Sequence, residues 1–488
     1  MPNTEIRVRI APSPTGSLHL GTVRTALYNY LFARKNKGKF ILRIEDTDQE
    51  RNKDEYTKEI LDGFNWLNIK FDEGPYYQSE RMDLYRKLAQ KLTNEGKAYH
   101  CFCTQEELDE LRKIQRAAKV PERYDNRHRN LTEEQKRKFI SENKKPVIRF
   151  KLPDHLDIKW DDEIRGHICV NTNDLGGDPV IMRADGVPLY NFAVVVDDGD
   201  MKISHVIRGD DHLHNTAKQI PIFEALGYSV PTFAHAPLIF THDREKLSKR
   251  KHGDIANIDK YQKEGYLPEA LANYLVHMSW TQPDNPEAEI FKLDKVIEKF
   301  DLGRISKSSA VYDLPKLHWF NNHYIKEKSV EEIYNLAKPF LVGAFHETPL
   351  QSMYPKEQLL QMIDSVRAGV NKLDEISGLI RFFFDDKFNL NEGENQKALS
   401  SENAKKILDK ILKSTDSFNF KDSHECKKKI DDIGKELGLK GKDLYWPVRI
   451  ALSGSNKGPD LGLIISLLGK DKIKVRIEKA LLSVISPY

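Results

Sequence analysis

Cysteine is scarce, with four in 488 residues, too few for a disulfide scaffold in a chain of this length and consistent with a reducing compartment. No long apolar run occurs. The most apolar stretch near the C-terminus, Leu461 to Leu468, falls far short of the roughly 20 residues a membrane helix needs. The first ten residues, MPNTEIRVRI, hold no apolar signal-peptide core, so a cytoplasmic protein with no membrane partner is expected. Net charge is also small: 77 lysines and arginines face 74 aspartates and glutamates, for +3. That balance excludes a uniformly basic nucleic-acid coat, though not a local basic face. Neither a GxGxxG dinucleotide fingerprint nor a GxxxxGK[ST] phosphate loop is present, and there is no internal repeat or low-complexity tract.

What is present is apolar material for several cores, 39% of residues against 31% charged. At roughly 100 to 200 residues per domain, the length suggests three or four domains. Ile6, Val8 and Ile10 alternate with Arg7 and Arg9, which predicts a strand. Two prolines and a glycine between Ala11 and Gly16 stop it. Leu20, Val23, Leu27, Tyr30 and Leu31 then mark one face of a helix, and Phe40–Ile44 a second strand ending in Glu45, Asp46 and Asp48. This is a βαβ unit, which builds parallel sheets with ligands at the strands' carboxyl ends. The region from Tyr85 to Lys119 reads as helical, and Pro121 to Arg129 as a basic, turn-rich loop. Further strands are expected at Val147–Phe150, Val180–Arg183, Phe192–Val196 and Ile203–Arg208, the last two resuming the first sheet. Beyond Asp313 the Lys/Glu-rich pattern is helical to the end.

Two segments carry chemistry. Pro12-Ser-Pro-Thr-Gly16 with His19-Leu-Gly21-Thr22 opens a helix whose unpaired N–H groups and dipole attract phosphate. By itself His19 is equally an ordinary cap-region histidine. More than 200 residues on, Lys246-Leu-Ser248-Lys249-Arg-Lys-His252 offers several cations with a serine, suited to a polyphosphate or to a solvated basic loop. A third cluster, Cys101-Phe-Cys103 with Tyr124 and His128 some 20 to 25 residues later, has a partial metal-ligand spacing. Either it binds zinc, with Tyr124 or His100 as fourth ligand, or its cysteines are small core residues. Cys169 and Cys426 read as buried thiols.

Together, His19-Leu-Gly-Thr and Lys246-Leu-Ser-Lys-Arg resemble the two signatures of class I aminoacyl-tRNA synthetases. Arg9-Ile-Ala-Pro-Ser-Pro-Thr-Gly16, Leu42-Arg-Ile-Glu-Asp-Thr-Asp48, Asp72-Glu-Gly-Pro75, Tyr190-Asn-Phe192 and Ile207-Arg-Gly-Asp-Asp211 resemble the glutamyl-tRNA synthetase branch, bacterial type. The resemblance implies a Rossmann-like parallel-sheet catalytic domain split between 1–84 and 186–240. It further implies an inserted α+β acceptor-stem-binding domain at 85–185, a stem-contact domain at 241–320, and an all-α anticodon-binding region of two helical subdomains at 321–488. It implies ATP-dependent activation of L-glutamate and its transfer to the 3′ end of tRNA(Glu), or, in a non-discriminating form, also to tRNA(Gln). His19, Lys246 and Lys249 take the catalytic roles. Gly16, His19, Gly21, Asp211, Lys246, Ser248 and Lys249 bind ATP, with Mg²⁺ on its phosphates. Arg9, Ala11, Ser13, Glu45, Tyr190 and Arg208 hold glutamate, the arginines meeting carboxylates and Glu45 the ammonium. Asp211 stands where a glutamate is frequent in the family. His128 stands where relatives with zinc commonly have a cysteine. A monomer is expected.

Overall fold

The alternating N-terminal run forms strand β1 (Arg7–Ile10), and the turn after it leads into helix α1 (Leu20–Lys35) and strand β2 (Lys39–Ile44). Leu20, Val23, Leu27 and Leu31 are all buried, as their spacing predicts. The computed structural model describes residues 5–48, 50–344, 354–385, 388, 390 and 393–485, without the side chains of 249, 250, 342–344, 484 and 485. The chain continues through α2 (Asp54–Trp66), β3 (Glu73–Tyr77), α3 (Met82–Asn94), β4 (Ala98–Cys101), α4 (Gln105–Ala117) and α5 (Glu133–Ser141). Then come β5 (Val147–Phe150), β6 (Asp157–Asp162), β7 (Gly166–Asn171), β8 (Val180–Met182), α6 (Tyr190–Asp200) and β9 (His205–Gly209). Helix α7 (Leu213–Leu226), β10 (Thr232–Ala236) and two short strands, β11 (Ile239–Phe240) and β12 (Ala310–Val311), follow.

Strand β2 lies between β1 and β3, all parallel. Strands β9 and β10 are parallel, β10 pairs with β6 in parallel, and β6 turns back into β7. Ser204 joins the two groups: its N–H donates to the Arg7 carbonyl at 2.9 Å, and its Oγ accepts the Arg7 N–H at 2.8 Å. The order is therefore β3-β2-β1-β9-β10-β6-β7. The chain winds one way from β1 and the other way from β9, and the gap between them is where such sheets bind ligands. Strands β4, β5 and β8 form a separate antiparallel sheet packed on α3.

Three sequence expectations are corrected. Phe192–Val196 is not a strand but the middle of α6. All five residues are buried, so the run has no periodicity, and a fully buried helix then looks like a buried strand. The segment 85–119 is not continuously helical, because β4 interrupts it. Cys169 is exposed, since β7 has a neighbour on one side only and alternate side chains face outward, whereas Cys426 is buried.

By compactness the chain divides into two units, one through Gln262 with Pro268–Leu317, the other Lys263–Leu267 with everything from His318. Among the described residues the second unit holds no strand. Its helices include Lys356–Arg367, Glu402–Ser414, Ser423–Leu437, Lys442–Ser453 and Leu461–Ile485, the last broken at Gly469, whose φ is 73°. Among the described residues no helix is long and apolar enough to cross a membrane.

The first unit is held beneath its sheet by buried charge. Helix α6 presents Asp197 and Asp198 to the two strands. Asp198 accepts from Arg9 Nε at 3.1 Å and Arg43 Nη1 at 2.7 Å, while Asp197 accepts from Gln78 and Arg81 at 2.7 and 2.8 Å and from Tyr85 at 2.9 Å. Burial works against the Arg43 charge, but Asp198, Asp197 and Glu45 outweigh it and raise the guanidinium pKa. Removing one member strands the others. Asp198→Ala is expected to cost about 3–5 kcal/mol of stability in urea unfolding. Glu73→Ala, which takes a partly solvated partner from Arg7 at 2.8 Å, should cost far less. Equal losses would contradict the assignment of the buried cluster as the sheet's anchor.

Candidate active site

A cavity of about 590 Å³ opens at the carboxyl ends of β1, β9 and β10, over the amino end of α1. The first βαβ unit supplies Arg9, Ala11, Ser13, His19, Gly21 and Glu45 to its wall. Tyr190 comes from α6, Arg208 from β9 and Asp211 from the short helical turn after it, with Lys246 and Ser248 from the later basic segment. Of the residues expected at the site, Gly16 is not part of this wall, and the side chain of Lys249 lies outside the described residues.

His19 caps α1. Its Nδ1 accepts the Gly21 N–H at 3.0 Å, which leaves the proton of the neutral ring on Nε2 as a donor. Gly21 is small for this reason, since a Cβ there would press on the imidazole at 3.2 Å. The first turn of α1 carries no acidic side chain, so the positive end of the helix meets the cavity without a built-in counter-charge.

Two buried arginines of this wall lack a carboxylate partner: Arg24, which donates to Ser279 Oγ and the Pro237 carbonyl, and Arg208. Arg208 is 6% exposed, and its partners are all neutral: His235 Nε2 at 3.2 Å, Thr216 Oγ1 at 2.7 Å, Gln219 Oε1 at 2.9 Å and the His212 carbonyl at 3.4 Å. Its Nη1 is buried with no hydrogen-bond partner among the described residues. Burial lowers its pKa, the reverse of Arg43 among its aspartates. A buried guanidinium with neutral neighbours and an unused donor is a receptor for an anion, and its fork suits a carboxylate. Arg9 enters the same cavity with Nε and Nη2 held by Asp198 and Nη1 without a partner among the described residues.

Glu45 supplies the opposite sign. Its N–H donates to the Pro12 carbonyl at 3.0 Å, fixing the end of β2 to the turn, and its carboxylate lies 3.4 Å from Arg43. Burial raises its pKa, while Arg43 and Arg9 hold it down. Tyr190 bonds through its hydroxyl to His212 Nδ1 at 3.0 Å. Burial, and then the neighbouring Arg208, pull His212 down to about 4, so its ring is neutral. Arg9, Arg208 and Glu45 thus give one part of the cavity two cationic anchors and one anionic one.

The basic segment folds back on β11. Leu247 N–H donates to the Ile239 carbonyl at 2.8 Å, and Lys246 Nζ meets Asp211 at 2.8 Å. Burial opposes ionisation of Asp211, but the hydrogen bond from Lys246 prevails and lowers its pKa. The two expected ATP contacts are therefore partners of each other.

The cysteine cluster assembles away from the cavity. Cys101 Sγ lies 3.3 Å from the Tyr124 hydroxyl and 3.8 Å from His128 Nδ1, and Cys103 Sγ lies 3.7 and 3.4 Å from the same atoms. Tetrahedral zinc at about 2.3 Å from sulfur and 2.0 Å from nitrogen or oxygen separates a sulfur ligand from a nitrogen or oxygen ligand by roughly 3.5 Å, so this donor set fits. The Phe102 N–H also points at His128 Nδ1, 3.1 Å away, and a metal would displace it from that lone pair. His100 stays outside the cluster, because neighbours on a strand point to opposite faces.

Sequence reasoning missed the residues that hold the anchors: Asp198 behind Arg9, and Thr216, Gln219 and His235 around Arg208. The available signal was weak, a polar residue inside an apolar run, as in Phe233-Ala-His235-Ala.

Residues 5–319 match the family described as tRNA synthetases class I (E and Q), catalytic domain, and residues 332–481 match an anticodon binding domain. The chain is 45% identical to glutamate–tRNA ligase 1 of a Thermoanaerobacter species, covering 98% of this chain and 99% of that protein. It is 42% identical to the glutamate–tRNA ligase of Natranaerobius thermophilus, over 97% and 98% respectively. A crystal structure of a glutamate tRNA ligase from Elizabethkingia meningosepticum, in complex with its amino acid, superposes with a TM-score of 0.87 at 35% identity, covering 98% of this chain and 100% of that one. On the shared catalytic family, the near-full-length relatives and the common fold, the chain belongs to the class I tRNA synthetases of the E and Q group, among the glutamate–tRNA ligases.

Proposed function

We propose that the cavity binds L-glutamate beside ATP and joins the glutamate α-carboxylate to the α-phosphate, releasing pyrophosphate. The glutamyl group then passes from the adenylate to the 3′-terminal ribose of tRNA(Glu). The observation that carries this reading is the buried, anion-free Arg208 facing a cavity that also holds Arg9 and Glu45. Glutamate has two carboxylates and one ammonium, and these three side chains match that count and sign. Ala11, Ser13 and Tyr190 complete the glutamate wall.

No side-chain nucleophile is needed, so catalysis is positioning and charge stabilisation. The amino end of α1 and the His19 Nε2–H receive phosphate oxygens, with Gly16 and Gly21 keeping the approach open. Lys246, Ser248 and Lys249 follow the charge that grows on the transferred phosphoryl group, and Lys246 leaves Asp211 to do so. Mg²⁺ carried by the ATP phosphates would supply further charge neutralisation there. Cys101, Cys103, Tyr124 and His128 would hold zinc, which would serve a structural role there. Residues 85–185 receive the acceptor stem, 241–320 contact the stem, and the helical residues 321–488 read the anticodon. A monomer working in the cytoplasm fits this reading.

Three outcomes are expected. Arg208→Ala should leave a substrate carboxylate unpaired at a cost of about 2–5 kcal/mol. That would appear as a raised KM for glutamate in ATP–pyrophosphate exchange with tRNA present. A wild-type KM would end the assignment. Lys249→Ala should slow adenylate formation by about 100-fold or more in a single turnover, with little change in glutamate binding, and an unchanged rate would remove Lys249 from the mechanism. Elemental analysis of the purified protein should find one zinc per chain, lost in Cys101→Ser. Metal-free, folded wild-type protein would show that the four side chains are core residues only.

A further inference from the structure

Arg208 is held from behind by a chain of groups that ends at a buried carboxylate outside the cavity wall. His235, on β10, is fully buried, and its Nε2 accepts from Arg208 Nε at 3.2 Å and lies 3.1 Å from Thr216 Oγ1. Thr216 accepts from Arg208 Nη2 at 2.7 Å, so its own proton is available to His235. An imidazole that accepts at Nε2 carries its proton on Nδ1. That proton meets Asp162 Oδ2 at 2.5 Å, from a carboxylate at the end of β6 that is itself buried. The other oxygen, Oδ1, is fixed by three backbone N–H groups, those of Ile164, Arg165 and His235, at 3.1, 2.9 and 3.1 Å. Arg208 and Thr216 share the one lone pair of His235 Nε2, and only one tautomer of His235 satisfies both Arg208 and Asp162.

We propose that Asp162 and His235 are positioning residues for substrate binding: Asp162 sets the His235 tautomer, and His235 in turn aims the Arg208 guanidinium at the substrate carboxylate. The arrangement solves an electrostatic problem. A carboxylate directly against Arg208 would neutralise it and compete with substrate, as Asp198 does at Arg43. Asp162 places the balancing negative charge one neutral ring away, so the site stays charged towards its ligand while the buried charges remain paired overall. It also explains why a strand from the middle of the chain lies beside β10, since β6 brings Asp162 under the site. This inference rests on the reading of Arg208 as a glutamate anchor.

The test is the full-length Asp162→Asn variant, which keeps shape and removes charge. The backbone donors at Oδ1 hold the amide oxygen there, so the amide N–H₂ faces His235 Nδ1 and drives the proton to Nε2. Two donors would then confront each other across the 3.2 Å contact with Arg208. A rise in the glutamate KM of about 10-fold or more is expected, with the ATP KM and the rate at saturating glutamate within about 3-fold. His235→Gln, which offers Arg208 an acceptor and Asp162 a donor, should lie closer to wild type than His235→Leu. That pair decides the matter if Asp162→Asn fails to fold. A purely structural role would lower the melting temperature and the active fraction without moving the glutamate KM selectively. A folded Asp162→Asn with wild-type glutamate KM, or with glutamate and ATP KM values raised alike, would overturn the inference. So would His235→Gln no better than His235→Leu. Wild-type protein with no glutamate-dependent exchange would instead remove the functional reading itself.

Discussion

A buried guanidinium without a carboxylate partner is the constraint around which the catalytic unit is arranged. Burying a cation is costly unless something negative or well hydrogen-bonded meets it. Arg43 meets Asp197, Asp198 and Glu45, and is thereby a fixed part of the core. Arg208 meets a ring nitrogen, a hydroxyl and an amide oxygen, which hold its orientation and leave its charge for a ligand. The same sheet therefore uses one arginine as an anchor and another as a receptor, and the difference lies in what stands behind each.

The topology supplies that difference. Arg9 and Arg208 end β1 and β9, which lie side by side although nearly 200 residues separate them in sequence. Helix α6 crosses beneath with Asp198 for Arg9, and β10 and β6 lie beyond with His235 and Asp162 for Arg208. The turn after β1, held by the bond from Glu45 N–H to Pro12, brings the amino end of α1 to the same opening. Charge for a carboxylate, charge for an ammonium and a helix end for phosphate thus converge on one cavity.

The first βαβ unit was legible because its apolar residues repeat with clear periods and its turn contains two prolines and a glycine. The cavity-facing residues were legible because they sit in short motifs that resemble a family; eleven of them, from Arg9 to Ser248, do share one wall. Their supports were not. His235 and Asp162 act through partners distant in sequence, on strands whose local pattern asks only for burial. Helix α6 was misread because packing on every side erases the period that marks a helix. The cysteine cluster was half legible: Cys101-Phe-Cys103 announces a pair of thiols, but only the fold brings Tyr124 and His128 within 4 Å of both.

The most direct test is substrate choice. ATP–pyrophosphate exchange should be measured with purified protein and tRNA(Glu), offering glutamate or glutamine at equal concentration. If Arg208 and Arg9 receive two carboxylates, glutamate supports exchange and glutamine, lacking one of them, does not. Equal exchange with glutamine would contradict the central claim, because a site built around an unpaired guanidinium would then gain nothing from the second negative charge.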